Sequence, residues 1–331
     1  LKLMATYRIK HITRYSYAST VIDCANHIML YPINDEHQLV KKHELTISQN
    51  PAVETFTDYF GNTIGIFSVI KPVNEIIIES NIEVETLPFE VKLHQIPAKE
   101  KWDKLAQMCN EFPFLDFIAN QKSDIIDAVQ TKVTELIDFS LTPFVNAQAL
   151  SKYVFDNFEY DKSVTNVETK IEDGLIEITN LNHEMKAGVC QDFAHILLVM
   201  LRMTGIPARY VSGYICPKNH ELRGEGATHA WVEVCIPFTG WIGLDPTNNC
   251  VVSDRHVRLA VGRSFSDCTP VKGTYKGSSE HTLEVSVSIE NGLMKAPEQP
   301  IDAPVVFSYQ SKNPSAENNS YRKFMEMQQQ Q

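Results

Sequence analysis

The chain opens on a period of two. Tyr7, Ile9, His11, Thr13, Tyr15 and Tyr17 alternate with polar or charged residues, which is the signature of a half-buried β-strand. Comparable runs recur at residues 27–31, 39–48, 53–59, 63–70 and 75–85, and Gly61-Asn62 is a hairpin turn signal between two of them. These spacings predict a β-rich, sandwich-like N-terminal domain over residues 5–95. The period then changes. Residues 102–109, 124–138 and 146–158 carry helical spacing, with Ser123 a candidate cap for the second. In the third, Ala149, Leu150, Tyr153, Val154 and Phe158 form one apolar stripe, read as core packing. Phe112-Pro113-Phe114 and Leu141-Thr142-Pro143 break these helices apart.

Further on, Phe193, Ala194 and the run from Ile196 to Met203 are apolar nearly all round, until Gly205-Ile206-Pro207 stops the pattern. That predicts a buried helix of about four turns with Cys190 in its first turn and Gly188 just before it. Strand patterns follow at 209–216, 228–236, 240–245, 255–261 and 282–289. From residue 291 onward Pro, Ser, Asn and Gln dominate, and a loosely held polar tail, 291–331, is expected. The second domain is therefore placed at 96–290, with a helical lead-in at 96–160.

Chemistry enters with Cys190. A cysteine at the start of a helix sits at the positive end of the helix dipole, a position that favours the nucleophilic thiolate. A buried structural thiol is the plain alternative. In Thr228-His229-Ala230-Trp231-Val232-Glu233-Val234, alternation puts His229, Trp231 and Glu233 on one strand face. In Gly240-Trp241-Ile242-Gly243-Leu244-Asp245, it puts Trp241, Gly243 and Asp245 on one face of the next. A hairpin centred on Pro237 sets His229 opposite Asp245, where a carboxylate can hold and charge the imidazole. A turn centred nearer Thr239 breaks that register. Thiol, imidazole and carboxylate are the parts of an activated nucleophile. The Cys190 backbone N–H supplies one oxyanion donor, and Tyr160 is a candidate for the second, with a core tyrosine as its alternative. Gln191 is a candidate site-lining residue. Trp231 and Trp241 either wall the cleft or pack the strands. Asp192 and Arg209 read as a buried ion pair, and His195 as a satisfied core histidine. A zinc set of His183, Cys190, Asp192 and His195 matches no ligand spacing.

A net charge of −11 argues against nucleic-acid binding, and no stretch is long and apolar enough for a membrane span. The first residues alternate and carry charge, unlike a signal peptide. The seven cysteines make an odd set without a C-x-x-C pair, which points to a reducing cytoplasm rather than to a disulfide frame or a zinc ribbon. No EF-hand loop or carboxylate cluster is present, so neither metal nor cofactor is expected.

Taken in order, Gly188-Val189-Cys190-Gln191-Asp192-Phe193-Ala194-His195, Gly205-Ile206-Pro207-Ala208-Arg209-Tyr210-Val211-Ser212-Gly213-Tyr214, His229-Ala230-Trp231-Val232-Glu233-Val234 and Trp241-x-x-x-Asp245-Pro246-Thr247 resemble the bacterial transglutaminase-like superfamily. The β-rich start resembles the N-terminal domain that accompanies that core. His256-Val257-Arg258-Leu259-Ala260-Val261-Gly262-Arg263 with Gly273-Thr274-Tyr275-x-Gly277 resembles the segment closing it. The resemblance implies an α+β fold, with a papain-like core in which the cysteine helix packs on an antiparallel sheet, and a Cys190, His229, Asp245 triad. It implies a thiol enzyme that forms an acyl-thioester from an amide in a protein or peptide substrate. Water as acceptor makes it a cysteine peptidase or amidase, the reading preferred here; an amine acceptor makes it a transglutaminase. A non-catalytic binding or assembly module is the reading of another class. Residues 165–185, long and acidic, and the tail depart from the shared pattern.

Overall fold

The computed structural model describes residues 4–88, 90–119, 125–160, 187–217, 222–224, 226–277, 279–292 and 305–310. The chain divides into two compact units, one built from Leu1–Met4 and Leu87–Cys268, the other from Ala5–Thr86 and Thr269–Gln331.

The second of these is organised around β1, Ala5–Ile28. Tyr7, Ile9, His11, Thr13, Tyr15 and Tyr17 are all buried, as their alternation predicts. The strands β2 (Gln38–Ile47), β3 (Val53–Thr57), β4 (Thr63–Val69) and β5 (Val73–Thr86) follow. Irregularities after Ser16 and after Ile22 let β1 change neighbours, so its first half pairs with β5 and its second half with β4. The β3–β4 turn is closed by Asp58, whose Oδ1 accepts the backbone N–H groups of Phe60 (2.9 Å) and Asn62 (2.7 Å). Gly61 takes φ +87° there, a conformation open to glycine at no steric cost.

In the other unit, α1 (Ala98–Met108), α2 (Ile125–Leu136) and α3 (Pro143–Asn157) form the helical lead-in. The third starts on Thr142, with Pro143 at the first helical position where its missing N–H costs nothing. Leu150, Val154 and Phe158 of its stripe are buried; Ala149 is exposed, and Ala147 takes the inward place. The short parallel pair β6 (Glu159–Tyr160) and β7 (Ala187–Gly188) sets Tyr160 beside Gly188. Residues 165–185 and Ser123 lie outside the described residues. Helix α4, Cys190–Met203, packs on β8 (Ala208–Ile215) and β9 (Thr228–Ile236). With β10 (Gly240–Asp245), β11 (Cys250–Val251) and β12 (His256–Gly262), these make an antiparallel sheet of order β11-β10-β9-β8-β12. Phe193, Ala194, Ile196, Leu197, Leu198, Met200 and Leu201 of α4 are buried. At about 1.5–3 kcal/mol for each large apolar side chain removed from water, this helix anchors the core. Among the described residues no helix is long and apolar enough to cross a membrane.

The last strands correct the expected boundaries. β13 (Val271–Lys276) pairs with the second half of β1, β14 (His281–Asn291) with its first half, and β15 (Val305–Gln310) with β14. The core unit thus ends at Cys268 rather than at 290, and the Gly273–Gly277 segment returns to the N-terminal sheet instead of closing the core. The expected tail contributes a strand. The physical reason lies in β1. With β5 and β4 along one side, its other side still presents a row of N–H and C=O groups that need partners.

Candidate active site

Cys190 is the first residue of α4, so its N–H is among those a helix leaves without an internal acceptor. Asp192, two residues on, reaches back: its Oδ2 accepts the Val189 N–H at 2.8 Å. A carboxylate there also suits the positive helix end. Gly188 is required by this arrangement, because a Cβ at 188 would sit 2.7 Å from Asp192 Oδ2. Arg209 does not pair with Asp192, contrary to the sequence expectation. It stands directly across the sheet from Glu233 and bonds it through Nε at 2.7 Å and Nη2 at 2.6 Å. Arg258 holds the other oxygen of Glu233 at 3.1 Å.

The β9–β10 hairpin turns on Pro237, Phe238 and Thr239, and its register pairs Gly243 with Glu233 and Trp241 with Cys235. The expected register is off by two residues, and His229 is not directly opposite Asp245. A slip of two keeps every side chain on its face, and a diagonal pair is still within reach of an imidazole. His229 Nε2 accordingly meets Asp245 Oδ2 at 2.8 Å.

Asp245 is fully buried and saturated. Its Oδ1 accepts the backbone N–H of Thr247 at 3.0 Å and of Asn248 at 3.3 Å. Its Oδ2 accepts His229, the Asn248 side-chain amide at 2.7 Å, and His256 Nε2 at 3.2 Å. Burial alone would raise this carboxyl, but the charge and hydrogen bonds of His229 and His256 hold it far below the usual carboxylate range. Burial would lower His229; the Asp245 carboxylate, with a further contribution from the nearby Cys190, pushes it up to about 10. Since Nε2 is committed to Asp245, the ring presents Nδ1 to the thiol. That atom is buried and has no partner in hydrogen-bond geometry.

Tyr160 belongs to the same cluster. A Cβ on Gly224 would lie 3.1 Å from His229 Nδ1 and 3.6 Å from the Tyr160 hydroxyl, so both crowd one side of that glycine. Burial, then the charges of Cys190 and Asp245, raise the phenol well above its usual range, so it keeps its proton as a donor. Trp231 is not a cleft wall. It is fully buried, packed 6.2 Å from the His229 ring and 5.2 Å from the His256 ring, centroid to centroid. Gly213 makes room for its indole, whose Cη2 would lie 2.6 Å from a Cβ there. Trp241 packs against Phe117, 5.3 Å between centroids, and under Arg209. Gln191 is half-buried in the first turn of α4, and its carbonyl bonds His195. His195 stacks on Tyr210 and accepts the Phe265 N–H at 3.2 Å; burial lowers it to about 3. It is a satisfied core histidine.

Sequence reasoning missed the roles of His256 and Asn248, both of which hold Asp245. The ligand atoms of His229, Asp245 and His256 lie within 4.8 Å of one another, close enough to suit a metal ion. The donor set does not fit one. His256 Nδ1 accepts the Ser253 N–H at 3.3 Å, so Nε2 carries the ring proton, and that proton already fills the gap to Asp245. His183, from the other metal set considered, lies outside the described residues.

A buried cysteine helix on an antiparallel sheet, with histidine and aspartate from adjacent strands at its N-terminus, is the architecture of one large class of thiol proteins. The family model of the transglutaminase-like superfamily matches residues 130–246, and that of the bacterial transglutaminase-like N-terminal region matches residues 7–85. The chain belongs to the transglutaminase-like superfamily. It is 30% identical over 285 residues to an uncharacterized protein of Mycobacterium leprae, covering 85% of this chain and 97% of the relative. Over a shorter span of 69 residues, 19% of this chain and 10% of the relative, it is 39% identical to a protein-glutamine gamma-glutamyltransferase of Pseudomonas aeruginosa. Its fold matches the crystal structure of a candidate cysteine protease from Cytophaga hutchinsonii with a TM-score of 0.66 at 19% identity, covering 94% of this chain and 100% of that one.

Proposed function

We propose that this protein is a thiol hydrolase that cleaves a peptide or isopeptide bond through an acyl-thioester at Cys190. The observation that carries the reading is the buried relay in which Asp245 charges His229 and His229 in turn faces Cys190. His229 takes the thiol proton. The sulfur then bonds to the amide carbonyl carbon, and the oxygen of the tetrahedral intermediate takes up the displaced electron pair. The Cys190 N–H and the Tyr160 hydroxyl are its proposed donors. Collapse breaks the C–N bond, and the leaving amine receives its proton from the His229 imidazolium. Water, deprotonated by His229, then attacks the thioester carbon, releasing the carboxylic acid and returning the proton to the thiol. Gln191 is proposed to line the approach to Cys190.

Transfer to an amine shares the whole first half of this sequence. The short likeness to the Pseudomonas aeruginosa enzyme supports it as the second reading. The test is mass spectrometry of glutamine-containing peptides incubated with the protein, with and without a primary amine, beside Cys190→Ala. Cleavage or deamidation that Cys190→Ala abolishes is expected. Amine incorporation in its place would transfer the assignment to acyl transfer. Turnover by Cys190→Ala equal to that of the unaltered protein would sink both.

A further inference from the structure

Asp245 serves two histidines, and only one of them faces Cys190. The other, His256, arrives from β12 at the opposite edge of the core sheet, with β9 and β8 between it and β10. Its ring is buried, and both ring nitrogens are engaged: Nδ1 by the Ser253 N–H at 3.3 Å, Nε2 by Asp245 Oδ2 at 3.2 Å. We propose that His256 is a positioning residue for the Cys190–His229 pair, fixed by the Ser253 backbone as the neutral Nε2–H tautomer so that it steadies Asp245 Oδ2 and limits how strongly that oxygen draws the His229 proton. This rests on the reading of Cys190, His229 and Asp245 as the reacting group.

A backbone N–H has only a proton to offer, so Nδ1 must supply a lone pair, and the single ring proton is left on Nε2. Protonating Nδ1 would set two donors against each other in a buried place, at a cost on the scale of a lost buried hydrogen bond. His256 therefore donates without carrying charge. That distinction matters, because a cationic ring there would compete with His229 for the same oxygen. As a neutral donor, it joins His229 at 2.8 Å and Asn248 at 2.7 Å on Oδ2. An oxygen shared by three donors is a poorer base than one serving His229 alone, so the proton stays on the imidazole. The other titratable groups felt at this cluster are Cys190, Tyr160, Cys250 and Arg255. Trp231, packed against both imidazoles, fills the space beside them.

The test reads the rate of Cys190 alkylation by iodoacetamide against pH on the full chain, resolved by peptide mass spectrometry from the other cysteines. The alkaline limb of that profile marks loss of the His229 imidazolium. His256→Phe removes a donor from Asp245, so His229 is held more strongly and the limb moves up by about one pH unit, the scale of one charge-assisted hydrogen bond. His256→Gln, whose amide can donate to the same oxygen, returns the limb toward its original place. Ser253→Pro removes the locking N–H and frees the ring to take the other tautomer, in which Nε2 no longer donates to Asp245, so the limb moves up in the same direction as in His256→Phe. An upward shift shared by His256→Phe and Ser253→Pro and reversed by His256→Gln is a result that general loss of packing does not produce. Nitrogen-15 shifts of the His256 ring in the unaltered protein test the tautomer without any variant, and Nδ1 is expected to stay unprotonated from about pH 5 to 9. An unmoved limb in the folded variants, or a proton on Nδ1, overturns the inference and leaves the Cys190–His229 pair standing. If Cys190 in the unaltered protein labels no faster than Cys109 and shows no limb, the pair and the inference fall together.

Discussion

Replacing the Asp245 carboxylate by an amide keeps its volume and removes the charge that holds His229 up to about 10. In Asp245→Asn, His229 should titrate far lower. Turnover is expected to fall by roughly 10⁴, the scale seen when the acid of a Ser-His-Asp triad is made neutral. Cys190 alkylation near neutral pH should slow with it, while circular dichroism stays that of the folded chain. Unchanged alkylation would remove Asp245 from the reacting group. That Cys190 opens a helix and that His229 and Asp245 share a sheet face were legible in local pattern, and the family resemblance supplied the grouping of the three. His256 and Asn248 were not. Asn248 acts through a turn that only the Asp245 carboxylate explains. His256 reaches Asp245 across the width of a sheet, and spacing along a chain does not report which non-consecutive strands share a face. Trp231 could be placed on a face but not in depth, because alternation does not say which face meets the core.

At the level of the element, the start of α4 makes the sharpest prediction. Gly188→Ala would put a Cβ 2.7 Å from Asp192 Oδ2 and 2.9 Å from Asp192 Cβ. Asp192 must then swing off the Val189 N–H. The loss of such a cap costs about 0.5–2 kcal/mol, and it displaces the turn that carries Cys190. Asp192→Ala should cost a similar amount by the same route while leaving Gly188 unstrained. Both are measured by denaturant unfolding, and a Gly188→Ala protein as stable as the unaltered one contradicts the account. The β9–β10 hairpin shows what element-scale reading can and cannot reach. Parity along each strand put His229 and Asp245 on one face, and that survived. The register depended on the turn, where Phe238 at φ +65° and Gly240 at φ +97° move the centre one residue beyond Pro237. The partnership persisted because a two-residue slip changes neighbours without changing faces.

For the whole chain, the sequence separates a β-rich domain from a cysteine-helix core, yet the resemblance of Gly273–Gly277 to a core-closing segment puts 271–290 in the wrong one, since strand periodicity does not say which sheet a strand joins. Each unit holds a buried histidine that takes up a proton only at a cost. Burial lowers His11 to about 4 in the N-terminal sheet and, with the charge of Arg202 adding to it, His195 to about 3 in the core. A histidine with a depressed folded pKa contributes stability that is fully present above its unfolded value of about 6.5 and is lost as pH falls toward the folded value. For His11 that loss amounts to about 3 kcal/mol, and for His195 to somewhat more. His229 runs the other way. Its raised folded pKa gives a contribution fully present below about 6.5 and lost as pH rises toward 10. Stability should therefore peak near neutral pH and fall on both sides. Unfolding midpoints measured from about pH 4.5 to pH 9 are expected to trace that peak, and His11→Gln should flatten the acid slope of the N-terminal unit while leaving the alkaline slope unchanged. Equal midpoints at pH 7 and pH 4.5 would show that the buried histidines take up protons without cost, which their burial in both units does not permit.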